Sequence, residues 1–283
     1  MTVHVIGASG RTGVTLCRSF AADGVAFVPV VRSAAKWRAT GLPGAPVVAD
    51  LLHRRTLRRA LDGARHVVSC AHARNVPLIL EAATAAERFV FLGSTRKFTK
   101  WPDDHATGVL DGETVFRRSD RFGVMLHPTM IYGAQGEDNV QRLARLLRRL
   151  PFVPLPGGGR SLVQPIHQDD VTRSIRAALT TEWHRPESMV LAGADRVTYA
   201  DFVRAVAAAA GLPPPRIVNI PAWVLRSLAP FTTVLPAVPR VRKAEVQRLL
   251  EDKAYGIEPM RRLLGVDPIG LAEGLARTFG AAA

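Results

Sequence analysis

Val3-His4-Val5-Ile6-Gly7-Ala8-Ser9-Gly10-Arg11-Thr12-Gly13-Val14-Thr15-Leu16 decides the reading of this chain. An apolar run ends in a glycine-rich turn, and the turn leads into a segment of helical character. The pattern predicts strand, turn, helix. Glycine lets a backbone approach a pyrophosphate closely. The helix that follows aims its free N–H groups and its positive dipole end at the same anion. A bare glycine spacing says little; the strand before it and the helix after it give it weight. Gly7, Ser9, Gly10, Arg11, Thr12 and Gly13 are therefore expected to hold a dinucleotide. The alternative is a tight strand-to-helix turn that binds nothing.

The rest of the N-terminal half repeats the alternation. Strands are expected at 26–31, 46–49, 66–71, 88–92 and 123–126, and helices at 54–61 and 77–86. The strand runs are apolar throughout, as strands covered on both faces are. Strands separated by helices imply right-handed crossovers and a doubly wound parallel sheet of α/β, Rossmann-like type. After residue 133 the texture changes. A basic amphipathic helix is expected at 139–150, a Pro/Gly-rich loop at 151–159, and a short strand at 163–166. A helix follows at 169–179 and a strand at 189–191. Thr198-Tyr199-Ala200-Asp201 resembles a capping box that opens a helix through Ala210. Residues 213–239 are too proline-rich for one long helix and suit an apolar lining over a bound cofactor. The expected division is a dinucleotide-binding domain at 1–133, completed by 167–195, and a partly helical substrate-binding region at 134–166 and 196–283.

Composition narrows the function. The formal charge is +14, yet only Lys36, Lys97, Lys100, Lys243 and Lys253 of the 38 basic residues are lysine. Arginine-rich sequence with much Ala, Gly and Pro is what a GC-rich coding sequence produces. The arginines are scattered and not interleaved with aromatics that stack on bases, so nucleic-acid binding is not expected. No apolar run approaches the roughly 20 residues that span a bilayer, and a first strand at residue 3 leaves no room for a signal peptide. The expectation is a cytoplasmic protein, monomer or homodimer, acting on a small molecule away from membranes. Cys17 and Cys70 read as reduced core residues, and the histidines lack metal-ligand spacing.

Several landmarks together resemble the extended and atypical short-chain dehydrogenase/reductases. The Gly7–Gly13 turn resembles their fingerprint. Asp50-Leu51 follows the third strand, and Gly93-Ser94-Thr95 ends the fifth. Leu126-His127-Pro128-Thr129-Met130-Ile131-Tyr132-Gly133 is similar to the family's Arg-Pro-x-x-x-Tyr-Gly segment, with His127 where arginine is usual. Gln164-Pro165-Ile166-His167-Gln168-Asp169-Asp170-Val171 and the C-terminal Asp252-Lys253 and Leu263-Leu264-Gly265 also fall in register. The resemblance implies that Asp50 bonds adenine while Leu51 packs on it. Ala71, His72, Pro128, Thr129, Met130 and Ile131 would then line the nicotinamide end. Tyr132, Trp223 and Phe231 are the substrate-lining candidates.

One family feature is missing. Its catalytic signature is a tyrosine followed four residues later by lysine. Here Gly136 follows Tyr132, Val203 follows Tyr199, and Pro259 follows Tyr255 at that spacing. In the best-matching segment His105 stands at the tyrosine position and Val109 at the lysine position. Three sources remain for the proton of a reduced carbonyl. His105 titrates near neutrality; Ser94 and Thr95 carry hydroxyls; or the substrate brings its own phenol. Cofactor choice rests on the end of strand two, where Arg32 and Lys36 replace the acidic residue of NAD enzymes and favour the 2′-phosphate of NADP(H). The expected function is NADPH-dependent ketone reduction on a secondary metabolite. In this it resembles the atypical ketoreductases of aromatic polyketide pathways, the angucyclinone (simocyclinone-type) enzymes among them. The competing readings are a non-catalytic NADPH-binding redox sensor or assembly protein, and a sugar-nucleotide epimerase. The epimerase is disfavoured because it needs the tyrosine as a base.

Overall fold

The computed structural model describes residues 1–133, 139–150, 152–221, 223–224 and 243–280. Its centre is a seven-stranded sheet, and every pairing in it is parallel. In chain order the strands are β1 (Val3–Ile6), β2 (Phe27–Val31), β3 (Val47–Val48), β4 (His66–Ser69), β5 (Arg88–Leu92), β6 (Gly123–Pro128) and Pro186–Leu191. In space the order is Pro186–Leu191, β6, β5, β4, β1, β2, β3. The direction of winding reverses between β1 and β4. In open α/β sheets that switch point is where ligands bind, outside the carboxyl ends of the strands.

The strand runs are apolar without alternation because the sheet is covered twice. Val3, Val5, Val68, Val90, Val124 and Leu126 face one core, together with Leu16, Cys17 and Phe20 of α1 (Arg11–Ala22) and Val171 and Ile175 of the helix Gln168–Thr180. Ile6, Val30, Val67, Phe89, Phe91 and Met125 face the other, against Leu57, Ile79, Val109 and Phe116. Phe91 anchors that second core, stacked on Phe89 at 5.4 Å and edge-on to Phe116 at 5.0 Å. Each fully buried apolar side chain contributes about 1.5–3 kcal/mol. The helix that carries Phe116 spans Asp104–Arg118 and starts where the Asp103 carboxylate accepts the Ala106 N–H. Its basic last turn complements the helix dipole.

The remaining elements form smaller pairs beside the sheet. Ile131–Tyr132 runs parallel to Ile166–His167, and Leu162–Val163 pairs with Val197–Thr198. Thr198 accepts the Asp201 N–H and opens the helix Tyr199–Ala209, as the sequence predicts. Residues 152–156 depart from the expectation of a loop over 151–159, since Phe152–Pro156 is a strand parallel to Arg216–Ile220. Val153 and Leu155 alternate inward, and the prolines are tolerated because a two-stranded ribbon consists only of edges. The partner strand lies about sixty residues downstream, so no local signal announces the pairing. The amphipathic helix predicted from 139 ends at Leu147. No described helix is long and apolar enough to cross a membrane.

Candidate functional site

The loop after β1 is built for close approach. Gly7 has φ of 75° and lies against the backbone of Cys70 and Ala71 at the end of β4. A Cβ on Gly13 would stand 2.3 Å from the Gly7 carbonyl oxygen and 2.8 Å from the Ala8 Cα, so the helix seats directly on the loop. Gly10 caps α1 with no side chain on its free N–H groups, and no acidic residue occupies the first turn. These N–H groups and the adjacent Arg11 fit a pyrophosphate. Thr12 is held from the side, its hydroxyl donating to Gln168 Oε1 at 3.3 Å. Arg32 and Lys36 are both exposed just past β2, and among the described residues neither has an ion-pair partner. Asp50 Oδ1 accepts the Leu52 N–H at 3.0 Å, so its carboxylate closes a turn ahead of the helix Arg54–Ala60, whose N-cap is His53.

A cavity of about 340 Å³ continues from this loop, lined by Arg11, Thr12, Gly93, Ser94, His105, Pro128, Thr129, Ile131, Asn139 and Gln168. The glycine-rich loop and the hydroxyl-bearing strand end thus share one cleft. Ser94 Oγ accepts the Arg96 N–H at 3.1 Å, which leaves its own proton for an acceptor in the cleft. Thr95 Oγ1 donates to the Pro128 carbonyl at 3.3 Å. His105 packs edge-on against His72, ring centroids 4.3 Å apart. Burial and the nearby Arg96 lower the His105 pKa, and burial with His105 and Arg74 brings His72 to about 4. Both imidazoles are therefore neutral at pH 7. This weakens His105 as an acid, because the sequence expectation assumed ordinary titration near neutrality.

Beneath the strand end lies a buried polar network. His127 is fully buried and packs under Gly93, where a Cβ would meet its Nδ1 at 2.3 Å. That Nδ1 accepts the Ser94 N–H at 3.2 Å, so the neutral ring carries its proton on Nε2. Nε2 faces Ser188 Oγ at 3.1 Å and Glu113 at 3.5 Å. Glu113 also takes the Lys97 ammonium at 2.5 Å and the Ser188 hydroxyl at 2.6 Å. Burial by itself would raise the Glu113 pKa. The hydrogen bonds from His127, Lys97 and Ser188 outweigh it and hold the carboxyl well below the usual range. Burial keeps His127 neutral. The network fixes the backbone from which Ser94 and Thr95 project.

Residues 7–116 match an NAD(P)H-binding family. The match covers the loop, the strands β2 to β5 and most of the helix of His105. Three solved structures share the whole fold. Gox2253 is 16% identical with a TM-score of 0.78, over 99% of this chain and 97% of that one. A UDP-glucose 4-epimerase from Thermotoga maritima, with UDP-glucose, is 15% identical with a TM-score of 0.75, over 99% and 98%. A UDP-glucuronic acid 4-epimerase from Bacillus cereus, with UDP-glucuronic acid and NAD, is 16% identical with a TM-score of 0.74, over 99% and 98%. At such identities the likeness is one of fold. The comparison with curated proteins finds no match.

The loop after β1 thus shares one cleft with the strand end, and seven of the sequence-selected residues line it: Arg11, Thr12, Ser94, His105, Pro128, Thr129 and Ile131. Ala71 and His72 follow β4 across from Gly7. Tyr132 lies elsewhere than expected. It is 1% exposed, its ring stands edge-on to His167 at 5.3 Å, and its hydroxyl abuts Gly274. It fills a core with Phe202 and Leu275 and does not line the cavity. Trp223 is 64% exposed, and Phe231 lies outside the described residues. His167 accepts the Asp169 N–H and caps its helix. The thiols of Cys17 and Cys70 are free, and burial pushes Cys70 up to about 12. Gln168, Asn139, Lys97, Glu113 and Ser188 were not selected from sequence. Glu113 carried a signal: a charge on the apolar face of its helix, between Val109 and Phe116.

Proposed function

We propose that the chain is an NADPH-dependent ketoreductase of the atypical short-chain dehydrogenase/reductase type, acting on an apolar, polycyclic small molecule such as an aromatic polyketide. The supporting observation is the single cleft in which Arg11 and Thr12 meet Ser94, Pro128 and Thr129. NADPH, when bound, supplies the hydride. The protein contributes position and electrostatics. Gly7, Ser9, Gly10, Arg11, Thr12 and Gly13 would hold the pyrophosphate, Arg32 and Lys36 the 2′-phosphate, Asp50 and Leu51 the adenine. Ala71, His72, Pro128, Thr129, Met130 and Ile131 would flank the nicotinamide. Ser94 would present its hydroxyl where a carbonyl oxygen gains charge, the kind of preorganised donor that lowers a barrier most; Thr95, which donates to the Pro128 carbonyl in this structure, would serve only by releasing that bond. Epimerase chemistry is not proposed, since the sequence has no tyrosine–lysine pair to act as its base.

The test is NADPH oxidation against a panel of polycyclic ketones and quinones, with alcohol identified as product. Binding of NADPH without oxidation by any member would point to a sensor or assembly protein. The substrate's own phenol is the rival proton source; matched ketones with and without that hydroxyl separate the two.

A further inference from the structure

At Ser94 the sheet hands its hydrogen bonding to a side chain. The Gly93 N–H still follows the ladder and donates to the Leu126 carbonyl at 2.7 Å. The next N–H, that of Ser94, leaves the ladder and donates to His127 Nδ1 at 3.2 Å. The Ser94 side chain is held too, its Oγ accepting the Arg96 N–H at 3.1 Å, and the residue lines the cleft. One imidazole therefore sets the backbone that carries the cleft hydroxyl.

The bonds around that imidazole run in one direction. Nδ1 accepts from Ser94, so Nε2 carries the proton and donates to Ser188 Oγ at 3.1 Å. Ser188 donates to Glu113 Oε1 at 2.6 Å, and Glu113 Oε2 takes the Lys97 ammonium at 2.5 Å. A neutral ring satisfies every member. An imidazolium carries N–H on both nitrogens and accepts nothing. Its Nδ1–H would face the Ser94 N–H, donor against donor, at a ring that is 0% exposed.

We propose that His127 is a positioning residue for the reduction: it holds the Ser94 hydroxyl toward the carbonyl oxygen only while its ring is neutral, and protonation of the ring releases the strand end. The proposal rests on the ketone-reduction reading. The charged groups against the ring are Lys97, 3.2 Å from Nε2 and opposing the cation, and Glu113, 3.5 Å away and favouring it. Burial is the largest influence and lowers the ring's pKa against the pull of Glu113. Ser94 is thus held at neutral pH and released on the acid side of the ordinary histidine value of 6.5.

Two measurements test this. In the cofactor-free protein, ¹⁵N-histidine NMR should show His127 at pH 7 with its proton on Nε2, and the Ser94 amide signal should shift in step with the ring as pH falls below 6.5. A proton on Nδ1, a Ser94 amide that ignores the ring's titration, or a ring that stays neutral until the chain unfolds overturns the switch whatever the protein catalyses. In single-turnover reduction, His127→Leu should slow hydride transfer about tenfold or more, with NADPH affinity unchanged. The ceiling is the roughly 10²–10³ that an outright loss of an oxyanion donor costs. Because His127 acts through Ser94, His127→Leu should add nothing in a Ser94→Ala background. His127→Asn, which keeps an acceptor and cannot titrate, should restore most of the rate lost in His127→Leu and abolish the fall below pH 6.5; His105→Phe should keep that fall. Losses that multiply in the double variant, or an acid limb that survives His127→Asn, overturn the proposal while ketone reduction stands. Wild type that reduces no ketone overturns both.

Discussion

Arg32 and Gly13 make opposite kinds of contribution to one ligand. Arg32 is exposed and, among the described residues, unpaired, so it gives up little in the free protein and is available to a 2′-phosphate. Arg32→Ala should weaken NADPH by about 1.5–3 kcal/mol, the range for a hydrogen bond to a charged group, and leave NADH nearly unchanged. Calorimetric titration with both nucleotides checks this, and equal losses for the two would contradict it. Gly13 acts by absence. An added Cβ meets the Gly7 carbonyl oxygen at 2.3 Å, and backbone atoms cannot yield as a side-chain tip does. Gly13→Ala should cost about 1–3 kcal/mol of stability, as overpacking does, and abolish NADPH binding by displacing the loop. Unaltered affinity would show that the helix does not need to seat on the loop. Both residues were legible in sequence because turn, strand and helix are contiguous. Lys97, Glu113, His127 and Ser188 were not, because four separate segments bring them together.

The helix Asp104–Arg118 is the element on which fold and site depend together. One face carries Val109 and Phe116 into the core, and between them Glu113 enters the network under Ser94. Phe116→Ala should cost about 3–5 kcal/mol, as for other buried aromatics, measured by chemical denaturation. Glu113→Gln should cost a similar amount, because it leaves the Lys97 ammonium buried without its partner. The pH dependence separates the two variants. The buried neutral His127 has a lowered pKa, so below its ordinary value of 6.5 the unfolded chain binds more protons and stability falls with pH. Glu113 is held low, so its contribution is present above its ordinary 4.5 and is lost as pH falls below that value. Phe116→Ala should keep this acid limb, and Glu113→Gln should flatten its part below pH 4.5. Parallel limbs in the two variants would contradict the assignment. At this scale, central strands were readable from apolar runs bounded by helices. Phe152–Pro156 was not, since its partner is distant and its prolines read as loop.

The whole molecule joins a conventional sheet order to an incomplete catalytic signature. Order and cleft position follow from the alternation of strands and helices, and the match over residues 7–116 agrees with them. The charge of +14 acts at this scale too. Association with the anionic nucleotide should slow as salt rises, because an excess positive field steers anions and is screened over about 10 Å at 0.1 M salt. Stopped-flow binding at several ionic strengths reads this directly, and a flat response would assign the charge to solvated surface alone. The central claim is hydride transfer from NADPH to a ketone in the cleft of Arg11, Thr12 and Ser94. It is tested most directly by incubating the protein with NADPH deuterated at C4 and a polycyclic ketone, then locating the label by mass spectrometry and NMR. The account predicts an alcohol with one deuterium on the former carbonyl carbon. NADPH bound tightly, with no deuterium transferred to any ketone of the panel, would contradict it.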